Sequence, residues 1–445
     1  QLESRAQASL LPNFQPRTFS DLVIEISLIR PGPLQAQMVQ PYLRRRQGRE
    51  PVSYLHPLLE AALAETLGVL VFQEQVLKVT RDLAGFTAGE AELLRRALDH
   101  KRAAEVLPQF HARFMAGAAA RGVTAEVATA VWEQLQAFGS YAFPKSHAAA
   151  FAVLTYQSAW LRAYHPAAFF AALLRHQPMG FYPPAVLVAE ARRLGVQIYG
   201  VDAQCSATLA TLEGGGIRLG LATVLRVGEA GAQRIVAARQ AGPFRTLGEF
   251  CQRTRLGRQQ VEALILGGAF DGWNRPRRQL LWELERAVKL PPEELPRLEF
   301  ERAEPEPPLD DFTPAQALGL EQAFTGVTAE QPRTAPVAHI LKSMGCTPVG
   351  ELRQWPAGTR VRVGGGVVAR QQPPTARGMV FLALEDATGL VNVALYPAVA
   401  AVSREALTAP FVIVEGQIQY DGQSVGVLGS RVLPVGYPQY GRMED

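Results

Sequence analysis

The chain has 445 residues, 48% hydrophobic and 19% charged, a balance that describes ordered protein with room for two or three buried cores. No apolar run approaches the roughly 20 residues needed to cross a bilayer. Three scattered cysteines (Cys205, Cys251, Cys346) and seven unclustered histidines offer neither a disulfide framework nor a zinc site. Charge is uneven: residues 1–200 carry 20 basic and 15 acidic groups, 201–280 carry 11 and 6, and 281–335 carry 5 and 12. Phosphate-attracting surface is therefore expected in the first 280 residues and a solvated acidic block after them. No signal peptide is visible, so the cytoplasm is the expected compartment.

Residues 1 to about 200 read as helices with turn-rich interruptions. Val23 to Leu28 ends at Arg30-Pro31-Gly32-Pro33; Leu58 to Leu67 and Ala91 to Leu98 have helical apolar spacing; Glu126 to Phe138 and Ala148 to Tyr164 are longer amphipathic stretches. Tyr164-His165-Pro166 breaks the last of these, and a helix restarts at Ala167 because proline suits a first turn but not a helix interior. The run from Ser140 to Phe151 (Ser-Tyr-Ala-Phe-Pro-Lys-Ser-His-Ala-Ala-Ala-Phe) places Lys145, Ser146 and His147 at or near a helix N-terminus, where unpaired amides and the helix dipole favour an anion; an ordinary polar cap fits the same pattern. Arg44, Arg45 and Arg46 suit template or duplex backbone, or a solubilising face.

Between about 205 and 275 glycine punctuates short helices. Leu219 to Gly231, followed by Ile235, Val236 and Arg239, has the texture of a helix-hairpin-helix, in which Arg226 stands where the first hairpin glycine is usual and Gly228 follows it. A second, weaker copy runs from Arg255-Leu256-Gly257-Arg258 through Asp271. Residues 291–335, rich in Pro and Glu, read as an extended solvated link. Beyond it, alternating apolar positions from Val361 to Val427 suit five short strands. Turns are expected at Asp386–Gly389 and Asp421-Gly422, and Gly364-Gly365-Gly366 allows a sharply bent first strand. Such a set fits a small oligonucleotide-binding barrel, with Arg360, Arg362, Arg370, Arg377, Phe381 and Tyr396 offering charge and aromatic surface.

Taken in order, Gln1-Leu2-Glu3-Ser4, Arg30-Pro31-Gly32-Pro33, Phe72-Gln73-Glu74-Gln75, Leu94-Arg95-Arg96-Ala97 and the Ser140–Phe151 run resemble the fingers of the bacterial DNA polymerase III alpha subunit, a C-family DNA polymerase. Pro41-Tyr42-Leu43-Arg44-Arg45-Arg46 and Gln177 to Tyr182 resemble its error-prone, translesion branch. The resemblance implies a multidomain, mainly α protein: fingers over 1–204, tandem helix-hairpin-helix over 205–280, an acidic Pro-rich connector over 281–340, and an OB-fold barrel over 341–436. It implies that Arg95 and Arg96 meet the triphosphate of an incoming deoxynucleotide; by residue type and position, Lys145 and His147 are candidates for contact with the nucleotide or nascent pair, and Tyr141 or Phe143 for packing against a base. By residue type and placement, Arg44, Arg45, Arg46, Arg226, Gly228, Arg360 and Arg362 are the candidate DNA contacts.

Nucleotidyl transfer needs two metals on closely placed carboxylates. The ten aspartates include no D-x-D pair, and the adjacent Asp310-Asp311 lies in the acidic block. In the resembled family the catalytic aspartates sit on a palm that precedes the fingers. The expectation is thus the C-terminal part of an error-prone polymerase, with no cofactor bound by this chain, Mg²⁺ entering only with a palm, and no polymerase activity alone. Expected partners are template/primer DNA, single strands, deoxynucleotides and a separately encoded palm or translesion accessory proteins. The alternatives are a non-catalytic DNA-binding or assembly module and a truncated gene product.

Overall fold

The computed structural model describes residues 5–29, 38–99, 103–139, 143–180, 182–289, 309–373, 376–421 and 424–436. The predicted motifs at Gln1–Ser4 and Arg30–Pro33, and Tyr141, lie outside them. The chain divides into two compact units, Gln1–Trp160 and Leu161–Asp421 with Val425–Asp445.

The first unit is helical: α1 (Arg5–Phe14), α2 (Phe19–Leu28), α3 (Val39–Arg46), α4 (Glu60–Leu63), α5 (Gln73–Ala84), α6 (Ala88–Asp99), α7 (Ala103–Ala120), α8 (Ala125–Gly139) and the start of α9 (Lys145–Tyr164). Helix α2 begins at a reciprocal cap: Thr18 Oγ1 accepts the Asp21 amide and Asp21 Oδ2 accepts the Thr18 amide. Its Val23, Ile24, Ile26 and Leu28 enter a core shared with Val76, Val79 and Leu83 of α5, Phe114 of α7, and Trp132, Leu135 and Phe138 of α8. Helices α5 and α7 meet where Gly117 passes the Ala84 carbonyl so closely that a Cβ would fall 1.9 Å from that oxygen. The segment expected as one helix from Leu58 to Leu67 is instead a tight run: a 3₁₀ turn at Pro57–Leu59, α4, and a second 3₁₀ turn at Ala64–Thr66. Gln75 decides this. Fully buried, its Oε1 accepts the amides of Val71 and Phe72, and its amide donates to the Ala62 carbonyl and to Thr66 Oγ1, a network that a straight helix would not bring together.

In the second unit the break at His165 stands as predicted, α9 ending at Tyr164 and α10 (Pro166–Arg175) opening on proline. After α11 (Pro184–Arg193) come β1 (Ile198–Tyr199), β2 (Thr211–Glu213) and β3 (Gly216–Arg218), a small sheet in the order β1-β3-β2. Then follow α12 (Gly228–Arg239), α13 (Leu247–Thr254), α14 (Arg258–Leu266) and α15 (Arg277–Lys289). Of the expected extended link, residues 290–308 lie outside the described residues, whereas Pro314–Thr325 forms α16. Thr313 and Gln316 cap each other reciprocally at its start, and Val327 and Ala329 beyond it join the helical core. The Pro- and Glu-rich average of the block hid this helix, whose own residues are mostly Ala, Gln and Leu.

After α17 (Ala338–Ser343) the chain closes a five-stranded barrel. It is built from β4 (Arg360–Gln371), β5 (Val380–Glu385), β6 (Leu390–Leu395), β7 (Phe411–Asp421) and β8 (Ser424–Pro434), with α18 (Pro397–Val402) and α19 (Arg404–Thr408) between β6 and β7. The barrel order is β4-β5-β6-β8-β7, and β6 and β8 run parallel, Asn392 opposite Gly426. Strand β4 serves two neighbours: residues 360–366 pair with β7, and 366–371 with β5 after a register shift between Val367 and Ala369. The bend needs the glycine run, since a Cβ on Gly365 would lie 2.2 Å from the Glu385 carbonyl. This is the expected mainly α protein ending in an OB-type barrel.

One buried charge makes a prediction. Glu25 on α2 is 3% exposed, and its Oε1 has no hydrogen-bond partner among the described residues. Burial pushes its carboxyl up to about 7, from 4.5. The folded state therefore holds a proton that the unfolded chain has released, so the stability it contributes is full below pH 4.5 and is lost as pH rises toward 7. Urea unfolding at pH 5 and pH 8 is expected to show a fall on the order of 2–3 kcal/mol from this group. Glu25→Gln is expected to flatten that slope; an unchanged slope in the variant would remove Glu25 as its cause.

Candidate nucleic-acid and nucleotide interface

Two sequence-distant motifs meet in the first unit. Phe72 and Phe143 form a parallel β-bridge, and the Gln73 amide donates to the Phe143 carbonyl at 3.0 Å. Glu74 completes the junction: its carboxylate accepts the amide of Lys145, the first residue of α9, at 3.0 and 3.1 Å. The helix N-terminus is thus already matched to an anion, one supplied by the protein. The Lys145 ammonium is ion-paired with Glu65 and lies 5.4 Å from the Phe72 ring centroid. His147, exposed on the first turn, sits between the rings of Phe143 (5.1 Å) and Phe151 (4.7 Å).

Helix α6 brings the arginines to the same junction. Arg95 donates to both oxygens of Glu92 at 2.8 Å and reaches Gln73 Oε1 at 3.5 Å. Arg96, with its side chain 66% exposed, also bonds Glu92 at 2.9 Å. Hydrogen bonds from these two arginines, Arg95's first, hold the Glu92 carboxyl down to about 2. Gln73 therefore joins the basic pair to the Lys145–His147 turn through one side chain and one backbone bond. Sequence reading named the Phe72–Gln75 motif but assigned no role to Gln73, Glu74 or Glu65; carboxylates spaced far along the chain carry no local signal of this kind.

The Arg44–Arg46 run separates by partner. Arg46 chelates Asp21 (2.7 and 2.9 Å), donates to the Phe14 and Gln15 carbonyls, and lies over the Phe14 ring at 4.4 Å. Arg45 bonds Glu50, Ser53 and the Leu67 carbonyl. Arg44, 55% exposed with Glu50 at 3.8 Å, is the member of the run that points to solvent.

The second unit holds the hairpins. What precedes the first is a 3₁₀ turn, Leu221–Thr223, rather than a full helix. Arg226 has φ +70°, the left-handed conformation that a glycine takes at no cost, and Gly228 has φ +62°. The second copy repeats the device, with Arg255 at φ +51° between α13 and α14. Both hairpins read Arg-apolar-Gly, with the arginine exposed and Val227 or Leu256 buried. They interlock reciprocally. Gln260 after the second hairpin donates to the Arg226 carbonyl at 3.1 Å, and Arg234 after the first donates to the Arg255 carbonyl at 3.2 Å. Among the described residues no side chain caps the start of α12. The repeated Arg-x-Gly was the available signal for the second hairpin.

On the barrel, Arg360, Arg370, Arg377 and Tyr396 are exposed and Phe381 is half-buried. Arg362 is bonded through Nε (3.1 Å) and Nη2 (2.6 Å) to Glu415 Oε1 and also reaches the Met344 carbonyl. Among the described residues there is no group of three or more His, Cys, Asp or Glu able to hold a metal, and no helix long and apolar enough to cross a membrane.

Comparison with known proteins agrees with this layout. Residues 1–122 match the bacterial DNA polymerase III alpha subunit finger domain, and residues 195–280 match the helix-hairpin-helix motif. The chain is similar over 97% of its length to error-prone DNA polymerases of Mycolicibacterium paratuberculosis, at 44% identity, and of Mycobacterium tuberculosis strain H37Rv, at 43%. It is 42% identical over 98% of its length to that of an Anaeromyxobacter species. The chain spans about two fifths of the length of these relatives, 40%, 40% and 39%. Against solved structures, an asparaginyl-tRNA synthetase from Pyrococcus horikoshii overlaps 20% of this chain and 21% of its own at 21% identity and a TM-score of 0.17, which carries no argument.

The strained hairpin is testable. Replacing Arg226 by Gly removes a left-handed arginine but loosens the unfolded chain, so stability is expected to change by less than about 1 kcal/mol, whereas Arg226→Val is expected to lose about 1–2 kcal/mol more than the glycine variant. Thermal unfolding of the two variants measures this; equal losses in both would mean that the backbone conformation is not what the position demands.

Proposed function

We propose that this chain, which resembles error-prone DNA polymerases over nearly all of its length, holds the incoming deoxynucleotide and the DNA for such a polymerase during damage-tolerant replication. The observation that carries this reading is the Gln73 junction, which ties Arg95 and Arg96 to the Lys145–His147 turn. Two guanidiniums and an ammonium at one junction match a triphosphate in charge, and Glu92 and Glu65 pair with them in the folded chain. His147, with Phe143 and Phe151, gives an aromatic edge for the nascent pair.

DNA is held elsewhere by features that suit phosphate without reading sequence: Arg44 on the first unit, Arg226, Arg255 and the α12 N-terminus at the hairpins, and Arg360 with Tyr396 on the barrel. The two-metal transfer itself is assigned to carboxylates outside these 445 residues, because the sequence has no paired aspartates of the required spacing. On this reading the chain alone does not extend a primed template with magnesium and deoxynucleotides. A second reading, a non-catalytic DNA-holding module, is favoured by one observation: Arg95 is bonded twice to Glu92, as a structural staple would be.

Deoxynucleotide binding separates the two. By equilibrium titration with a fluorescent deoxynucleotide, the Arg95→Ala/Arg96→Ala double variant is expected to bind at least about tenfold more weakly, since charge-assisted hydrogen bonds contribute about 1.5–3 kcal/mol each and 1.4 kcal/mol is a factor of ten. Unchanged affinity, or robust primer extension by the chain alone, would overturn the polymerase reading in this form.

A further inference from the structure

Away from the hairpins, the second unit encloses a cavity of about 290 Å³ between α11, the segment after α16, and the barrel at β4 and the β5–β6 turn. Its apolar wall includes Val186, Pro332 and Val368, and three guanidiniums, Arg192, Arg193 and Arg333, line it as well. Their charges are not matched alike. Arg193 is ion-paired with Glu385 and with Glu190. Arg192 instead donates to the main-chain carbonyls of Thr328 and Ala329, which are neutral, and the Glu321 and Glu385 carboxylates act on it only at longer range. Arg333 lies over the Phe411 ring at 5.4 Å. Neither Arg192 nor Arg333 makes an ion pair among the described residues. Asp386, the other acid on the wall, is spent on its turn, accepting from the amides of Thr388, Gly389 and Val349.

A cavity with two unmatched guanidiniums facing an apolar wall suits an anion carrying a flat apolar group. Its volume is that of one nucleotide, with the base against Pro332 and Val368 and the phosphate at Arg333. We propose that this cavity receives one nucleotide of a single DNA strand passing between the helical module and the barrel, a site separate from the hairpins and from the outward barrel face; the inference rests on the DNA-holding reading above. A strand seated there would be gripped where the module and barrel already meet through Arg193 and Glu385, so its occupancy would favour their present arrangement.

The test is fluorescence anisotropy of a 5′-labelled oligothymidylate of about 20 nucleotides with the full chain over a range of salt. Arg333→Ala removes the unmatched charge, and Ala189→Phe fills the cavity from α11 without touching an arginine. With melting temperature retained, each is expected to bind about three- to tenfold more weakly, and Arg333→Ala is expected to lower the salt slope by about 0.7, one single-strand phosphate contact. Should Ala189→Phe fail to fold, Arg333→Ala decides alone. Native affinity and slope in the folded variants would overturn the proposal while leaving DNA binding intact. No salt-dependent binding by the unaltered chain would overturn the DNA reading and the pocket with it. Thymidine monophosphate competing at micromolar concentration would assign the cavity to a free nucleotide and so overturn the strand assignment.

Discussion

The basic cluster of the first unit depends on one junction, the pairing of the Phe72–Glu74 segment with the Phe143–Lys145 segment. A backbone hydrogen bond from Gln73 and the carboxylate of Glu74 fix the start of α9, and through it the placement of Lys145 and His147. Gln73 then receives Arg95 from α6. Without this junction the arginines and the lysine would belong to two separate helices. With it they share one small region, whose positive charge is held in balance by glutamates from neighbouring segments. Without such partners the gathered like charges would repel.

In the second unit the hairpins solve a different problem. Each must turn sharply and still leave a cation exposed, and each does so with an arginine in the left-handed conformation, held by a buried apolar neighbour and by a hydrogen bond from the other hairpin. The strain at Arg226 and Arg255 is tolerated because their carbonyls are clamped reciprocally. The barrel uses glycine instead, at Gly365, where one strand changes partners and no side chain fits.

Much of the fold was legible in the residues. The proline break at His165, the strands of the barrel and the Asp386–Gly389 turn follow from local chemistry, because proline, alternation and an Asp-x-x-Gly turn each act within a few residues. Two readings departed from the structure. Leu58–Leu67 has helical apolar spacing yet folds around Gln75, and Pro314–Thr325 lay hidden in an acidic, proline-rich average. In the first case the deciding residue, Gln75, lies outside the window being read; in the second the window's average masked a helix that carries its own cap.

The sequence by itself determined which residue types are present, where helices break, that the last third alternates as strands do, and that no D-x-D aspartate pair is available. Tertiary structure alone decided what each charge does. Arg44, Arg45 and Arg46 are equal in the sequence, but on α3 successive residues point about 100° apart, so Arg46 meets Asp21 and Phe14, Arg45 meets Glu50 and Leu67, and Arg44 faces solvent. Periodicity fixes a side chain's direction on its own element. Its partner is fixed only when distant elements pack, because a charge is matched by whatever lies within a few ångströms in space and not by its neighbours along the chain.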